Sequence, residues 1–153
     1  MRSLEPWVEA PLSAFLSESG ARLTLLMTGA GQVVAQHGFT RSLDIMSAAA
    51  LGAGIMAATG ELARVMTTVP FASVTHQGKA LSLYLAGFDT PRGRWLGLVV
   101  YGGETSLGLV QLFFTRMVED LGRAAPAELP VQRVLAEDFE EQLNSSLRSL
   151  FGR

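Results

Sequence analysis

The 153-residue chain contains no cysteine, which excludes disulfide frameworks, thiolate metal sites and cysteine nucleophiles together. Lysine is almost absent too: Lys79 stands alone, and the 12 basic residues are outweighed by 14 acidic ones without clustering anywhere. That balance leaves no electrostatic footprint for nucleic acid. Long apolar runs are also lacking. The most apolar tract, Ile45 to Gly60, is bracketed by Asp44 and Glu61 and is shorter than the roughly 20 residues a membrane span needs. It reads as a buried helix of a soluble protein, and no membrane insertion is expected. The opening "MRSLEPWVEAPLSAF" carries Glu5, Glu9 and two prolines where a signal peptide needs an apolar core. A cytoplasmic location is the expectation.

What the chain has in quantity is apolar surface. Hydrophobic residues make up 48% against 17% charged, more than one domain of this size needs for its own core, so some of it is available for another chain. Pro11 begins a first helix with Leu12, Phe15 and Leu16 on one face, ended by Gly20. "ARLTLLM" and "QVVAQHG" read as two strands of a hairpin joined by Thr28 to Gly31. Ser42 is the expected N-cap of a long second helix reaching about Met66, with Pro70 beyond it. Three strands follow: "SVTHQG", "LSLYLAGF" and "WLGLVVYGG", the last two joined by "DTPRGR". Leu81, Leu83 and Leu85 share one face of the middle one. A third helix begins near Thr105 with Leu107, Val110, Phe114, Met117, Val118 and Leu121 as its stripe. Leu109, Leu112 and Phe113 widen that stripe, predicting heavy burial.

"APAELP", residues 125–130, is a linker. Leu135, Phe139, Leu143, Leu147, Leu150 and Phe151 then mark a terminal amphipathic helix over 131–153, its acids near the start and Arg148 near the end. The order αββαβββα over residues 1–124 predicts one α+β domain with a five-stranded antiparallel sheet and helices on both faces.

No constellation of catalytic type emerges. Gly29-Ala30-Gly31 suggests a dinucleotide fingerprint, but the third glycine is replaced by Val34 and a strand follows where a helix N-terminus is required. It reads as a hairpin turn. "YGGETSLG" lacks the Lys-Ser/Thr pair of a P-loop. His37 and His76 each lack a carboxylate or a second ligand nearby in sequence. Arg92 and Arg94 in "DTPRGRW" invite comparison with an arginine finger, and a solvated hairpin loop is the simpler reading. No metal, no cofactor and no enzymatic activity are expected.

The second helix is the unusual element. Ala49, Gly52, Ala53, Met56 and Gly60 form a stripe of mostly small residues at steps of three and four, and each interior glycine costs about 1 kcal/mol of helix propensity relative to alanine. Close approach of another backbone accounts for that cost: either the chain's own sheet, or a symmetry mate in a dimer, the preferred reading.

The hairpin "LLMTGAGQVVAQ", the strand pair "THQGKALSLYL" and the helix "ETSLGLVQLFFTRMVEDL", with Leu-Gly near its start, together resemble the roadblock family, named for the dynein light chains, and are most similar to its bacterial MglB-like branch. The resemblance spans residues 12–123. One departure is the hairpin turn, which often carries an Asp before its Gly in the family and here reads Thr28-Gly29-Ala30-Gly31.

The resemblance implies a homodimer in which second helices lie side by side and third strands join two sheets. Ala49, Gly52, Ala53, Met56 and Gly60 would line the helix contact, and Ser73, Val74, Thr75, His76 and Gln77 the strand contact. It also implies a non-enzymatic partner of a Ras-like small GTPase, docking on its switch region and stimulating hydrolysis without a catalytic residue. Arg41, Asp44, Glu61 and Arg64, the charged residues around the ends of the second helix, are the candidate contacts to it. A roadblock scaffold without effect on hydrolysis is the alternative, and a small-ligand sensor a third.

Overall fold

The structure is a computed structural model describing residues 2–38, 44–126, 143–145 and 147–150. A two-residue strand β1 (Arg2–Ser3) and a 3-10 turn (Pro6–Val8) lead into α1 (Glu9–Ser19). β2 (Leu23–Thr28) and β3 (Val33–Gly38) form the first hairpin, followed by α2 (Ile45–Val65), β4 (Ser73–His76), β5 (Ser82–Thr90), β6 (Gly93–Tyr101) and α3 (Leu107–Ala124). Every strand pairing is antiparallel, and the order across the sheet is β1-β3-β2-β6-β5-β4. The five expected strands are all present. β1 is an addition that sequence alone did not suggest, since two residues paired to Gln36 and Ala35 carry no periodicity.

Alternation along the central strands builds two cores. Leu25 and Met27 of β2, Leu85 of β5, and Leu96 and Leu98 of β6 face α2. Leu26, Tyr84, Ala86, Phe88, Trp95, Val99 and Tyr101 face the other side, where α1 and α3 pack. A register shift between Leu26 and Met27 leaves Val34 as an extra residue on β3, so Val34 and Ala35 both enter the second core. That core centres on Phe114, whose ring meets Phe15, Tyr84 and Phe88 edge-on at centroid distances of 6.0, 5.3 and 5.7 Å. Trp7 stacks on Trp95 at 5.5 Å.

Local signals account for most boundaries. Gly20 ends α1 in the left-handed region at φ 74°, as its sequence position suggests. α1 starts two residues before Pro11, because Pro6 opens a preceding 3-10 turn. Asp44, rather than Ser42, caps α2: its carboxylate accepts hydrogen bonds from Ser47 N at 3.2 Å and Ser47 Oγ at 2.7 Å. The β5–β6 connection is tighter than "DTPRGR" suggests. Strand pairing continues to Thr90 and Gly93, and the Thr90 hydroxyl accepts from Arg92 N and donates to Gly93 O.

Leu81 precedes β5 and is exposed, while Leu83 and Leu85 take the α2 side. On α3, Val110, Phe114, Met117 and Leu121 are buried, but Leu109 and Leu112 are exposed and do not widen the core. They lie beyond the sector that contacts the sheet and α1. Most of the expected terminal helix falls outside the described residues; residues 143–145 and 147–150 are helical.

Candidate interaction surface

The "TGAG" turn is a hairpin connection that packs on α2. Thr28 N donates to Gln32 O at 2.8 Å and Gly31 N to Thr28 O at 2.9 Å, closing the loop. Gly31 adopts φ 88°, and a Cβ there would stand 3.3 Å from Ala50 Cα and 3.4 Å from Ala53 Cβ. Glycine therefore serves both a left-handed turn and close contact with the helix. No helix begins here, so the geometry of a phosphate cradle is missing.

The turn and the sheet together account for part of the small residues on α2. Ala49, Gly52 and Ala63 are buried, Ala49 in the core shared with the sheet, and Ile45, Ala48, Ala53, Ile55 and Met56 are partly buried against that core. A Cβ on Gly52 would lie 3.3 Å from Leu98 Cδ1 and 3.6 Å from Met27 Sδ. Within one protomer, Ala49 and Gly52 are thus occupied by the sheet, Ala53 and Met56 flank them, and Gly60 is exposed with open space around it.

The opposite side of α2 carries what periodicity alone did not separate. Met46, Leu51, Leu62 and Val65 are 75%, 68%, 54% and 74% exposed, and between them lie exposed Ala50, Gly54, Ala57 and Ala58. Charge is confined to one end, where Arg64 pairs with Glu61 at 2.8 Å. The apolar surface continues along the chain through exposed Met66, Val69 and Phe71. α2 is long and apolar enough to cross a membrane by length and composition, yet one side of it packs on the sheet as part of the fold.

The chain then enters β4, which pairs only with β5 and leaves its other edge free among the described residues. Ser73 and Val74 are partly buried, Thr75 and His76 are exposed, and Gln77 lies just beyond the strand. An unpaired edge beside a large apolar face is a template for pairing with another chain.

The four charged candidates divide. Asp44 is engaged as the α2 cap, and its hydrogen bonds from Ser47 hold its carboxyl below the ordinary aspartate range. Glu61 and Arg64 pair with each other, and Arg41 lies outside the described residues.

The chemical candidates stay apart. His37 lies on β3 and His76 on the β4 edge, and among the described residues no three His, Cys, Asp or Glu side chains converge as metal ligands. Arg92 and Arg94 are paired in place, Arg92 with Glu5 at 3.3 Å and Arg94 with Asp89 at 3.2 Å, which matches the hairpin reading. Arg22 pairs with Glu104 at 2.7 Å, joining the end of α1 to the start of α3. The Arg22 guanidinium, which donates two hydrogen bonds, holds the Glu104 carboxyl at about 2.

This architecture is shared with solved structures. MglB from Myxococcus xanthus is 28% identical, with a TM-score of 0.70, the match covering 79% of this chain and 96% of that one. The gliding protein MglB from Thermus thermophilus is 30% identical, with a TM-score of 0.68, over 78% of this chain and 88% of that one.

The chain belongs to the roadblock family, in its MglB-like branch.

A Roadblock/LC7 domain from Streptomyces avermitilis shares the fold at 17% identity and a TM-score of 0.62, over 77% of this chain and 93% of that one. No protein-family model and no curated protein matches the sequence. For an MglB-like roadblock chain the α2 face and the β4 edge are the surfaces left to account for.

Proposed function

We propose that this chain is a cytoplasmic homodimer that regulates a Ras-like small GTPase, docking on its switch region and biasing the switch loops toward a hydrolysis-competent arrangement. It acts through surface, without a catalytic group, a nucleic-acid partner or membrane insertion. The observation that carries this reading is the uncovered apolar side of α2, joined in sequence to the free β4 edge. The likeness to MglB supports the GTPase as the partner.

The outward side of α2 suits a two-fold pair. Met46 and Val65, Ala50 and Glu61, and Gly54 and Ala57 are equidistant from the point between Ile55 and Met56. An antiparallel pairing brings the smallest residues, Gly54 and Ala57, to the crossing, and a C2 contact requires such self-complementarity. Of the residues assigned to this contact by sequence, Gly60 is exposed on α2 and Ser73 to His76 form β4. Ala50, Gly54, Ala57 and Ala58 join them as the inner stripe, with Leu51 and Leu62 at its border.

Mixing the purified dimer with a small GTPase encoded in the same genome and following GTP turnover tests the proposal. Faster hydrolysis supports it. A stable complex with unchanged turnover identifies a scaffold instead, and no complex with any such GTPase sinks the reading.

A further inference from the structure

The two edges of the sheet are built differently. On one side β4 presents four residues, Ser73–His76, with an edge that is free among the described residues. On the other side β3 would present six, Val33–Gly38, beginning with two valines, and such an edge is a template for another strand. Residues 2–4 lie across it. β1 pairs Arg2 with Gln36 and Ser3 with Ala35, and Leu4 N donates to Val34 O at 2.8 Å. The strand ends before Pro6, which has no N–H to donate and opens the 3-10 turn. The outer edge that β1 presents in turn is therefore two residues long and closely followed by a proline, a form in which an exposed edge is a poor template.

The segment is fastened just beyond the part that covers β3. Val8 is completely buried, and Trp7 stacks on Trp95 of β6 with ring centroids 5.5 Å apart. The Trp7 indole N–H donates to the Glu5 carboxylate, which faces Arg92 of the β5–β6 turn at 3.3 Å. Ser3 Oγ donates to the Glu9 carboxylate of α1 at 2.9 Å. The covering residues themselves add little to the core, and Leu4 is 77% exposed. A segment anchored by Trp7 and Val8 that lays Arg2 to Leu4 along β3 is placed to close an edge and not to fill an interior.

We propose that residues 2–4 are a strap that closes the β3 edge to other chains and so confines joining of sheets to the β4 edge. With one edge open, a protomer joins one neighbour and stops. With both open, every assembly keeps a free edge at each end and grows. The occupant of an uncovered β3 edge is the same edge of a second copy, paired antiparallel about a two-fold axis. Val34 turns its carbonyl toward the strap, and Gln36, two residues on, turns its backbone N–H and C=O the same way. The count of two copies rests on the homodimer proposed above; closure of the β3 edge does not.

Deleting residues 2–4 uncovers the edge and leaves Glu5, Trp7 and Val8 in place. Sedimentation velocity over a dilution series compares this variant with the parent, and circular dichroism checks the fold. The deletion is expected to give a weight-average mass about twice the parent's or more, rising with concentration. Adding Gln36→Pro removes an outward N–H from the uncovered edge, where proline is tolerated, and is expected to restore the parent's mass. Leu4→Pro in the full chain removes the donor to Val34 O and is expected to associate to a smaller extent. A folded deletion variant of the parent's mass, or association that Gln36→Pro leaves unchanged, would overturn the proposal. If the deletion does not fold, Leu4→Pro decides, and the parent's mass in that variant overturns the proposal equally. A monomeric parent removes the homodimer reading alone, as long as uncovering the β3 edge still raises the mass.

Discussion

Replacing Leu51 with serine tests whether the outward side of α2 is an interface. Leu51 is 68% exposed in the protomer, and burying a whole leucine side chain contributes about 2 kcal/mol, so covering the exposed part contributes about 1.4 kcal/mol. A two-fold contact counts the residue twice, which makes the loss in Leu51→Ser about 3 kcal/mol, or roughly 100-fold in Kd. Met46, Leu51, Leu62, Val65 and Met66 together leave about three full side chains uncovered per protomer, about 12 kcal/mol for a pair at the same coefficient. Association costs on the order of 4 to 15 kcal/mol, so at the low end of that cost about 8 kcal/mol is left, a dimer of about micromolar affinity, and a 100-fold weakening is measurable. Sedimentation velocity over a dilution series provides the measurement, with far-UV circular dichroism to check that the protomer stays folded. Leu109→Ser, on the opposite face, is the control and is expected to pair like the parent. Unchanged dimer affinity in Leu51→Ser, or equal weakening by both variants, refutes the assignment.

Three further outcomes follow from the packing, and a fourth from the Arg22–Glu104 pair. Gly52→Leu is expected to destabilise the protomer by about 1 to 3 kcal/mol in chemical denaturation, because its Cβ would already meet Leu98 at 3.3 Å. Gly54→Leu, with nothing within 4 Å of its Cβ, should leave the protomer as stable or raise it by about 0.5 to 1 kcal/mol while weakening pairing; loss of fold in Gly54→Leu contradicts the facing assigned here. Gly97→Ala would set a Cβ 2.5 Å from Phe114 Cε2, and the surrounding rings prevent Phe114 from yielding, so a loss of about 1 to 3 kcal/mol is expected and a neutral result disproves the rigidity of that core. Carbon-detected NMR titration should find the Glu104 carboxyl at about 2 and return it to the ordinary glutamate range in Arg22→Met. Since the folded value is depressed, the pair's contribution is complete above the ordinary glutamate value and is lost as pH falls toward 2.

Elements whose signals are local were legible in the sequence. The "TGAG" turn, the Gly20 stop and the alternation of Leu83 and Leu85 each depend on one or two neighbouring residues and on the period of a strand, and the structure reproduces them. The α2 cap was missed because Ser42 and Asp44 are both good N-cap residues, and Ser47 three positions after Asp44 decides between them by donating to its carboxylate. The orientation of α2 was not legible for a stronger reason. Small residues line both of its sides, Ala49, Gly52 and Ala53 toward the sheet and Ala50, Gly54 and Ala57 away from it. Periodicity reports that a stripe exists, and it cannot say which stripe meets the sheet when both are apolar. The seating of Gly52 against Leu98 and Met27 of the sheet resolves it, and that is a tertiary fact.

The two-sided character of α2 also links fold to function. A helix that packs only on its own sheet needs one apolar side, and selection for solubility would fill the other with charge. Apart from Ser47, whose hydroxyl donates to Asp44, the second side stays apolar from Met46 to Val65, with charge admitted only at the Glu61–Arg64 pair. Its smallest residues, Gly54 and Ala57, fall at the middle, where a crossing helix would approach most closely. A membrane would favour leucine and isoleucine there instead of glycine and alanine, and it could not accept the sheet that covers the other side. The pattern therefore fits a protein surface of defined shape, and a second copy of the same helix presents one.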